Sequence, residues 1–367
     1  MQPYESFIHL SRYSRFLDDA GRRETWDETV DRLVGFWKER VGTNTVTEAE
    51  YSELRSAIYN REVMPSMRAM WSAGKALEQN HFRGYNCSFA AVDHIRVFDE
   101  ILFILMAGTG VGFSAEAKYV NKLPIINDIF TETERVISIE DSAEGWAKGL
   151  RKLVAELYLG NIHQWDYSRI RPEGARLKTM GGRASGPEPL KDLFAFITNM
   201  FNKAAGRKLR PIEVHDIVCK IAEVVVVGGV RRSALISLSD LGDPEVRDCK
   251  SGRWWETEQQ RALANNSASY ETKPSMAVFM DEWIALMKSG SGERGIVSRY
   301  GLQDMAPERR DGDKIVGLNP CAEIALRSGQ LCNLTEVVCR ENDTAEDLKR
   351  KVRIAAILGT LQASLTD

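Results

Sequence analysis

Apolar positions recur at helical spacing along much of the chain. In Trp26-Asp-Glu-Thr-Val-Asp-Arg-Leu-Val-Gly-Phe-Trp37 they fall three and four apart, and Thr47-Glu-Ala-Glu50 opens a second helix like a capping box. Residues 1 to about 60 therefore read as mostly helical. Ile95-Arg-Val-Phe-Asp-Glu-Ile-Leu-Phe-Ile-Leu-Met106 is apolar on more than one face, as a buried helix would be. Asp141 to Leu157 is amphipathic, with Asp141 predicted as its N-cap. Further helices are predicted over Leu193–Phe201, Met280–Met287 and Thr344–Leu365. Arg83-Gly-Tyr-Asn-Cys-Ser-Phe-Ala-Ala91 has the small and strand-forming residues of a buried strand. Trp165 to Arg176 reads as strand then turn, and Ile296-Val297 as strand. The run Val224–Val227 fits a strand or a buried helix equally by periodicity. Residues 240 to 275 are polar and rich in turn signals, which predicts an irregular excursion.

Glycines punctuate this pattern at three places. Gly108-Thr-Gly-Val-Gly-Phe-Ser114 alternates them as a phosphate loop does, but they follow a helix rather than open one. A tight turn into a strand fits better. Gly181-Gly-Arg-Ala-Ser-Gly-Pro-Glu-Pro-Leu190 runs into a helix, where backbone N–H groups can approach a ligand closely. After Gly228-Gly229, Arg231 and Arg232 offer two planar cations suited to phosphate.

Composition narrows the function classes. The 367 residues are 43% hydrophobic and 28% charged with a net charge of -3, the profile of a globular protein with one large domain or two. A slightly acidic chain is not expected to bind nucleic acid, and no run of about 18 apolar residues predicts a membrane span. The first residues show no basic stretch leading into an apolar run, so the expected location is cytoplasmic. The six cysteines are irregularly spaced and include no Cys-x-x-Cys pair, which argues against a disulfide scaffold and against a zinc or other metal site. Cys219 reads as core, and Cys249 has no partner in view.

The chemistry concentrates in Gly317-Leu-Asn-Pro-Cys-Ala-Glu-Ile-Ala-Leu-Arg-Ser-Gly-Gln-Leu-Cys-Asn-Leu-Thr-Glu336. Asn319, Cys321 and Glu323 bring an amide, a thiol and a carboxylate into five residues, and Cys332 follows eleven residues after Cys321. Thiols beside a carboxylate and an amide suggest redox or radical chemistry on a hydroxylated substrate. With Tyr85-Asn-Cys-Ser88 and Ala184-Ser-Gly-Pro-Glu-Pro-Leu190, this stretch resembles the active-site finger and flanking segments of ribonucleotide reductases. It is most similar to the adenosylcobalamin-dependent (class II) enzymes.

The resemblance implies a reaction and a role for each residue. Cys321 would carry a thiyl radical at a tip shielded from water, Glu323 would be the general base, and Asn319 would hold the ribose hydroxyls. Cys87 and Cys332 would form the reducing pair. Ser66, Asn86, Ser88, Ser185 and Gly186 would line the substrate site, and Gly229, Arg231 and Arg232 would belong to the loop that reads a deoxynucleotide effector. Adenosylcobalamin would generate the radical, and a thioredoxin- or glutaredoxin-like dithiol would restore the cysteines.

The implied fold is an α/β barrel of ten strands, built of two five-stranded parallel halves. Residues 1–62 would form a helical cap. Residues 63–367 would supply the first half-barrel, the finger at about 317–331 and the start of the second half. A second polypeptide would then complete the barrel. The alternative is an inactive truncated copy or a regulatory nucleotide-binding relative.

Overall fold

The computed structural model describes residues 2–176, 183–227 and 234–365, and the chain divides into two compact units. One comprises Met1–Asn86 and Cys332–Asp367, the other Cys87–Leu331.

The first unit is built on capped helices. Trp26–Val41 begins after Thr25, whose hydroxyl accepts from the Glu28 N–H while the Glu28 side chain reaches back, and Thr47 with Glu50 repeats the arrangement for Glu48–Tyr59. Ala345–Ala363 has the same box in Thr344 and Asp347. Leu33, Trp37, Leu54 and Ile58 are buried in this unit. Val63–Pro65 pairs antiparallel with Thr335–Val337. The Tyr85 hydroxyl donates to the Leu365 carbonyl at 2.9 Å.

The second unit is a sheet covered by helices. Its principal elements in chain order are β1 (Cys87–Ala91), α1 (Val97–Met106), β2 (Gly110–Ser114), α2 (Ala143–Tyr158), α3 (Glu188–Lys203), α4 (Pro211–Val227), β3 (Leu235–Asp240), β4 (Ala264–Tyr270), β5 (Gly295–Ser298) and β6 (Gln330–Cys332), whose last residue is counted with the first unit. The strand order is β5-β4-β3-β2-β1-β6, and β1 through β5 run parallel. A parallel sheet needs crossovers, and the helices supply them. The two-residue period of a strand then sorts the side chains. Ala90, Val111, Phe113, Leu235 and Ala264 face Leu102, Leu150, Phe194 and Ile217 of the four helices in one buried core. Cys87, Phe89, Gly110 and Gly112 point to the opposite face. Thr131–Ser138 and Asn161–Asp166 form a separate parallel pair.

Several expectations are corrected. The acid at 141 does not cap α2. Ser142 does, accepting from the Gly145 N–H at 2.9 Å, while Asp141 pairs with Arg171 at 2.6 Å. Val224–Val227, left open between strand and helix by its periodicity, is the end of α4. Residues 240 to 275 are not simply irregular: they contain β4, an interior strand, whose two asparagines and two serines mask its strand character. Cys249 has a partner, since Asn266 Nδ2 donates to its sulfur at 3.2 Å. Cys219 is fully buried in the helix-side core, as expected.

Candidate functional site

The finger is an antiparallel hairpin laid on the open face of the sheet. Gly317 pairs with Leu326 and Leu318 with Ala325. Between these arms Asn319 organises the tip: its N–H donates to the Ile324 carbonyl at 3.1 Å, and its Oδ1 accepts from the Ile324 N–H at 2.9 Å. Its own carbonyl accepts from the Ala322 N–H at 2.9 Å. Ala322 is left-handed (φ 68°), an arrangement that costs a non-glycine residue about 1–2 kcal/mol. Cys321, Ala322 and Glu323 are thus turned outward at the tip and exposed.

Two glycines let the finger lie this close. A Cβ on Gly112 would overlap the Leu318 carbonyl, and one on Gly110 would stand 3.0 Å from the Pro320 ring. On the finger side, a Cβ on Gly317 would overlap the Phe89 ring. The alternating glycines after α1 are therefore not a phosphate loop. They turn the chain into β2 and leave its finger-side face bare.

This approach brings Cys321 to Cys87, the first residue of β1, and the two thiols share a hydrogen bond. Partial desolvation, then the neighbouring Cys87 and Glu323, push the Cys321 thiol up from its ordinary value. Cys87 is buried and Cys321 exposed. The expected shielding of Cys321 is absent among the described residues, because the sheet covers the tip from one side only. Asn319 is fully buried, and its Nδ2 has no hydrogen-bond partner. A buried amide left without an acceptor costs about 1–3 kcal/mol, which a ligand oxygen would recover.

The remaining candidates are placed as follows. Cys332 is buried in the first unit, where its carbonyl accepts from the Asn86 N–H at 3.0 Å. Asn86 Oδ1 is buried without a partner. Ser66 caps the helix Met67–Ser72, its hydroxyl accepting from the Ala69 N–H at 3.0 Å. Ser88 lies one residue from Cys87 and so points to the helix-covered face, where its hydroxyl donates to the Gly110 carbonyl at 3.1 Å. The structure therefore does not bring Ser88 to the finger. Ser185 donates to the Gly186 carbonyl at 3.3 Å, and Gly186 is left-handed (φ 73°) against Glu173. Gly229, Arg231 and Arg232 lie outside the described residues.

Sequence reasoning missed the residues that hold the finger. Arg299 donates to the Val316 carbonyl at 3.1 Å, Gln303 to the Ile315 carbonyl at 3.0 Å and Arg310 to the Ala325 carbonyl at 2.8 Å. Ser328 accepts from the Ala91 N–H at 3.0 Å. No local motif marks them, since what they hold is main chain. No group of three or more His, Cys, Asp or Glu side chains among the described residues is placed to hold a metal ion. No described helix is long and apolar enough to cross a membrane.

No protein-family model matches the chain. Among curated proteins it is similar to the adenosylcobalamin-dependent ribonucleoside-triphosphate reductases of Lactobacillus gasseri (27% identity, 94% of this chain and 56% of the relative) and Euglena gracilis (27%, 95% and 50%). The enzyme of the same name from Lacticaseibacillus paracasei is 29% identical, over 89% of this chain and 53% of its own. The chain thus spans about half the length of the curated relatives it matches. A crystal structure of a B-12 dependent (class II) ribonucleotide reductase superposes with a TM-score of 0.81 at 22% identity, over 98% of this chain and 58% of that one. The Actinobacillus ureae class Id ribonucleotide reductase alpha subunit gives 0.52 at 11% identity, over 98% and 55%. The resemblance carried by the finger therefore extends over nearly the whole chain, and the fold is shared.

Proposed function

We propose that this chain carries the radical site of an adenosylcobalamin-dependent ribonucleotide reductase, converting ribonucleotides to 2′-deoxyribonucleotides. One observation carries the proposal: a hairpin tip that presents Cys321 with Glu323 two residues on, against Cys87, over a buried asparagine amide lacking an acceptor. The relatives are named for adenosylcobalamin and for ribonucleoside triphosphates, and both are assigned to this chain on that ground. The exposed Cys321 fits a large radical generator, because its sulfur is open to approach at the tip. When bound, adenosylcobalamin supplies the acceptor for the thiol hydrogen of Cys321.

The chain's own groups then divide the work. The Cys321 thiyl takes the hydrogen from carbon 3′ of the ribose. Glu323 accepts the proton of the 3′-hydroxyl. Asn319 Nδ2 donates to a ribose hydroxyl and so holds the sugar in place. Cys87 gives a proton to the 2′-hydroxyl, which leaves as water. Cys87 and Cys332 close to a disulfide as they supply two electrons and the hydrogen that carbon 2′ gains, Glu323 gives its proton back to the 3′ oxygen, and Cys321 returns the hydrogen to carbon 3′. A dithiol of the thioredoxin or glutaredoxin kind reduces the disulfide for the next turnover. Asn86, with its unpartnered Oδ1, is the further residue assigned to substrate. Ser66, Ser185 and Gly186 are assigned less direct contacts through their loops, and Gly229, Arg231 and Arg232 the effector response. The other strands of a ten-stranded barrel would come from residues outside this sequence, in the same or a second polypeptide.

The test is tritium washout from 5′-labelled adenosylcobalamin, with a deoxynucleotide effector and a dithiol present and the rest of the barrel supplied. Washout that disappears in Cys321→Ala is the expected result. Equal washout in both proteins would remove Cys321 from the reaction, and none in either would remove the cofactor.

A further inference from the structure

The residues assigned to chemistry do not explain a buried ionic cluster at the base of the finger. Arg299 follows β5 directly and is 1% exposed. Its Nη1 and Nη2 donate to the two carboxylate oxygens of Glu116 at 2.7 and 2.5 Å, and Nη1 also reaches Glu271. Glu116 is fully buried, and its Oε2 also accepts from the Ser114 hydroxyl at 2.6 Å. With the fork held this way the plane of the guanidinium is fixed, and its Nε–H points at the Val316 carbonyl at 3.1 Å. Next to it, Gln303 holds the Ile315 carbonyl at 3.0 Å.

Val316 is the last residue before the paired arm, and the tip lies five residues further on. The paired arm is the two-residue strand Gly317–Leu318, and a slip at its base is carried into the tip turn that follows directly. Glycines at 110, 112 and 317 give the arm a smooth bed, which admits sliding as readily as it admits close approach. Something must therefore fix the finger lengthwise, and a main-chain carbonyl gripped by an immobilised guanidinium does so.

We infer that Arg299 is a positioning residue, oriented by Glu116, that sets how far the finger reaches and so registers Cys321 against Cys87. Lysine in its place keeps the charge but has one nitrogen, which cannot fork onto Glu116 and hold Val316 at once. Glu116→Gln keeps the shape and loses the charge that aligns the fork. The inference deepens the proposed function, yet its readout needs no turnover, so either can fail alone.

The test measures iodoacetamide alkylation of individual cysteines in the full chain at pH 7.5, by peptide mass spectrometry. Cys339, exposed in the other unit, is the internal control. Loss of register separates Cys321 from Cys87 and raises its thiolate fraction, an effect of about threefold to tenfold in rate. Arg299→Lys and Glu116→Gln are both expected to speed Cys321 by that factor with Cys339 unchanged. An unchanged Cys321 in either folded variant overturns the inference. So does a parallel rise at Cys321 and at Cys219, buried in the core of the same unit, which reports general loosening rather than register.

Discussion

At the scale of single residues, the proposed function requires a thiol that stays protonated until it is needed. A hydrogen-atom donor must keep its hydrogen, and the environment of Cys321 favours the neutral form. Its thiol is raised by desolvation and by Cys87 and Glu323, so the thiolate is scarce at neutral pH and gains only as pH climbs past the ordinary thiol value. The alkylation rate of Cys321 is therefore expected to titrate with a midpoint above that of an unperturbed peptide thiol. A midpoint at or below that value would mean that the contact with Cys87 does not persist in solution. In the proposed function Glu323 is the general base, and Glu323→Gln keeps the hydrogen-bonding shape without being able to accept a proton. It is expected to lower kcat of the complete enzyme by about a hundredfold to ten-thousandfold with KM little changed. A loss confined to KM would assign Glu323 to binding alone.

At the scale of elements, the finger and β2 are fitted by what their residues lack. Gly112→Ala forces a methyl group into the Leu318 carbonyl, and backbone cannot step aside as a side chain can. Overpacking of this kind costs about 1–3 kcal/mol or more. Denaturant unfolding is expected to show that loss, and a neutral outcome would mean that the finger does not rest on β2. Gly35 is the contrast: it sits inside the helix Trp26–Val41 with nothing within 4 Å of a modest added methyl. Gly35→Ala is expected to stabilise the protein by about 0.5–1 kcal/mol, since only helix propensity changes. Destabilisation there would show that the helix face is occupied in solution.

Much of this element-scale structure was legible beforehand. Thr25, Thr47 and Thr344 each sit three residues before an acid, and a capping box is a local device. β4 was not legible, because Asn265, Asn266, Ser267 and Ser269 do not read as an interior strand, and Asn266 is accommodated there by its bonds to His215 and Cys249. Asp141 and Ser142 compete for one cap, and the choice fell to Arg171, a residue 30 positions away.

At the scale of the whole molecule, the proposed function requires that the exposed tip be covered. The thiyl radical of the proposed function would react with solvent-borne species unless enclosed, and Cys321 is exposed. Supplying the remaining half of the relatives' length, joined or as a separate polypeptide, is expected to slow Cys321 alkylation while leaving Cys339 unaffected. No protection of Cys321 would count against a barrel closing over the finger. The edge strand β5 is the place where such pairing would start, since it ends the described sheet and carries the exposed Ile296.

The sequence by itself determined the local quantities: the capped helices, the buried strand at Cys87, and the identity and spacing of Asn319, Cys321 and Glu323. These follow from propensity, period and side-chain chemistry within a few residues, so a linear reading finds them. Tertiary structure alone decided which face of the sheet the finger covers, and so left Ser88 on the side away from it. It also decided that glycines 110 and 112 serve the finger rather than a phosphate. Arg299 and Glu116 meet across 183 positions of chain. Their pairing depends on the order of parallel strands, and that order is set by long-range packing which no short stretch of sequence encodes.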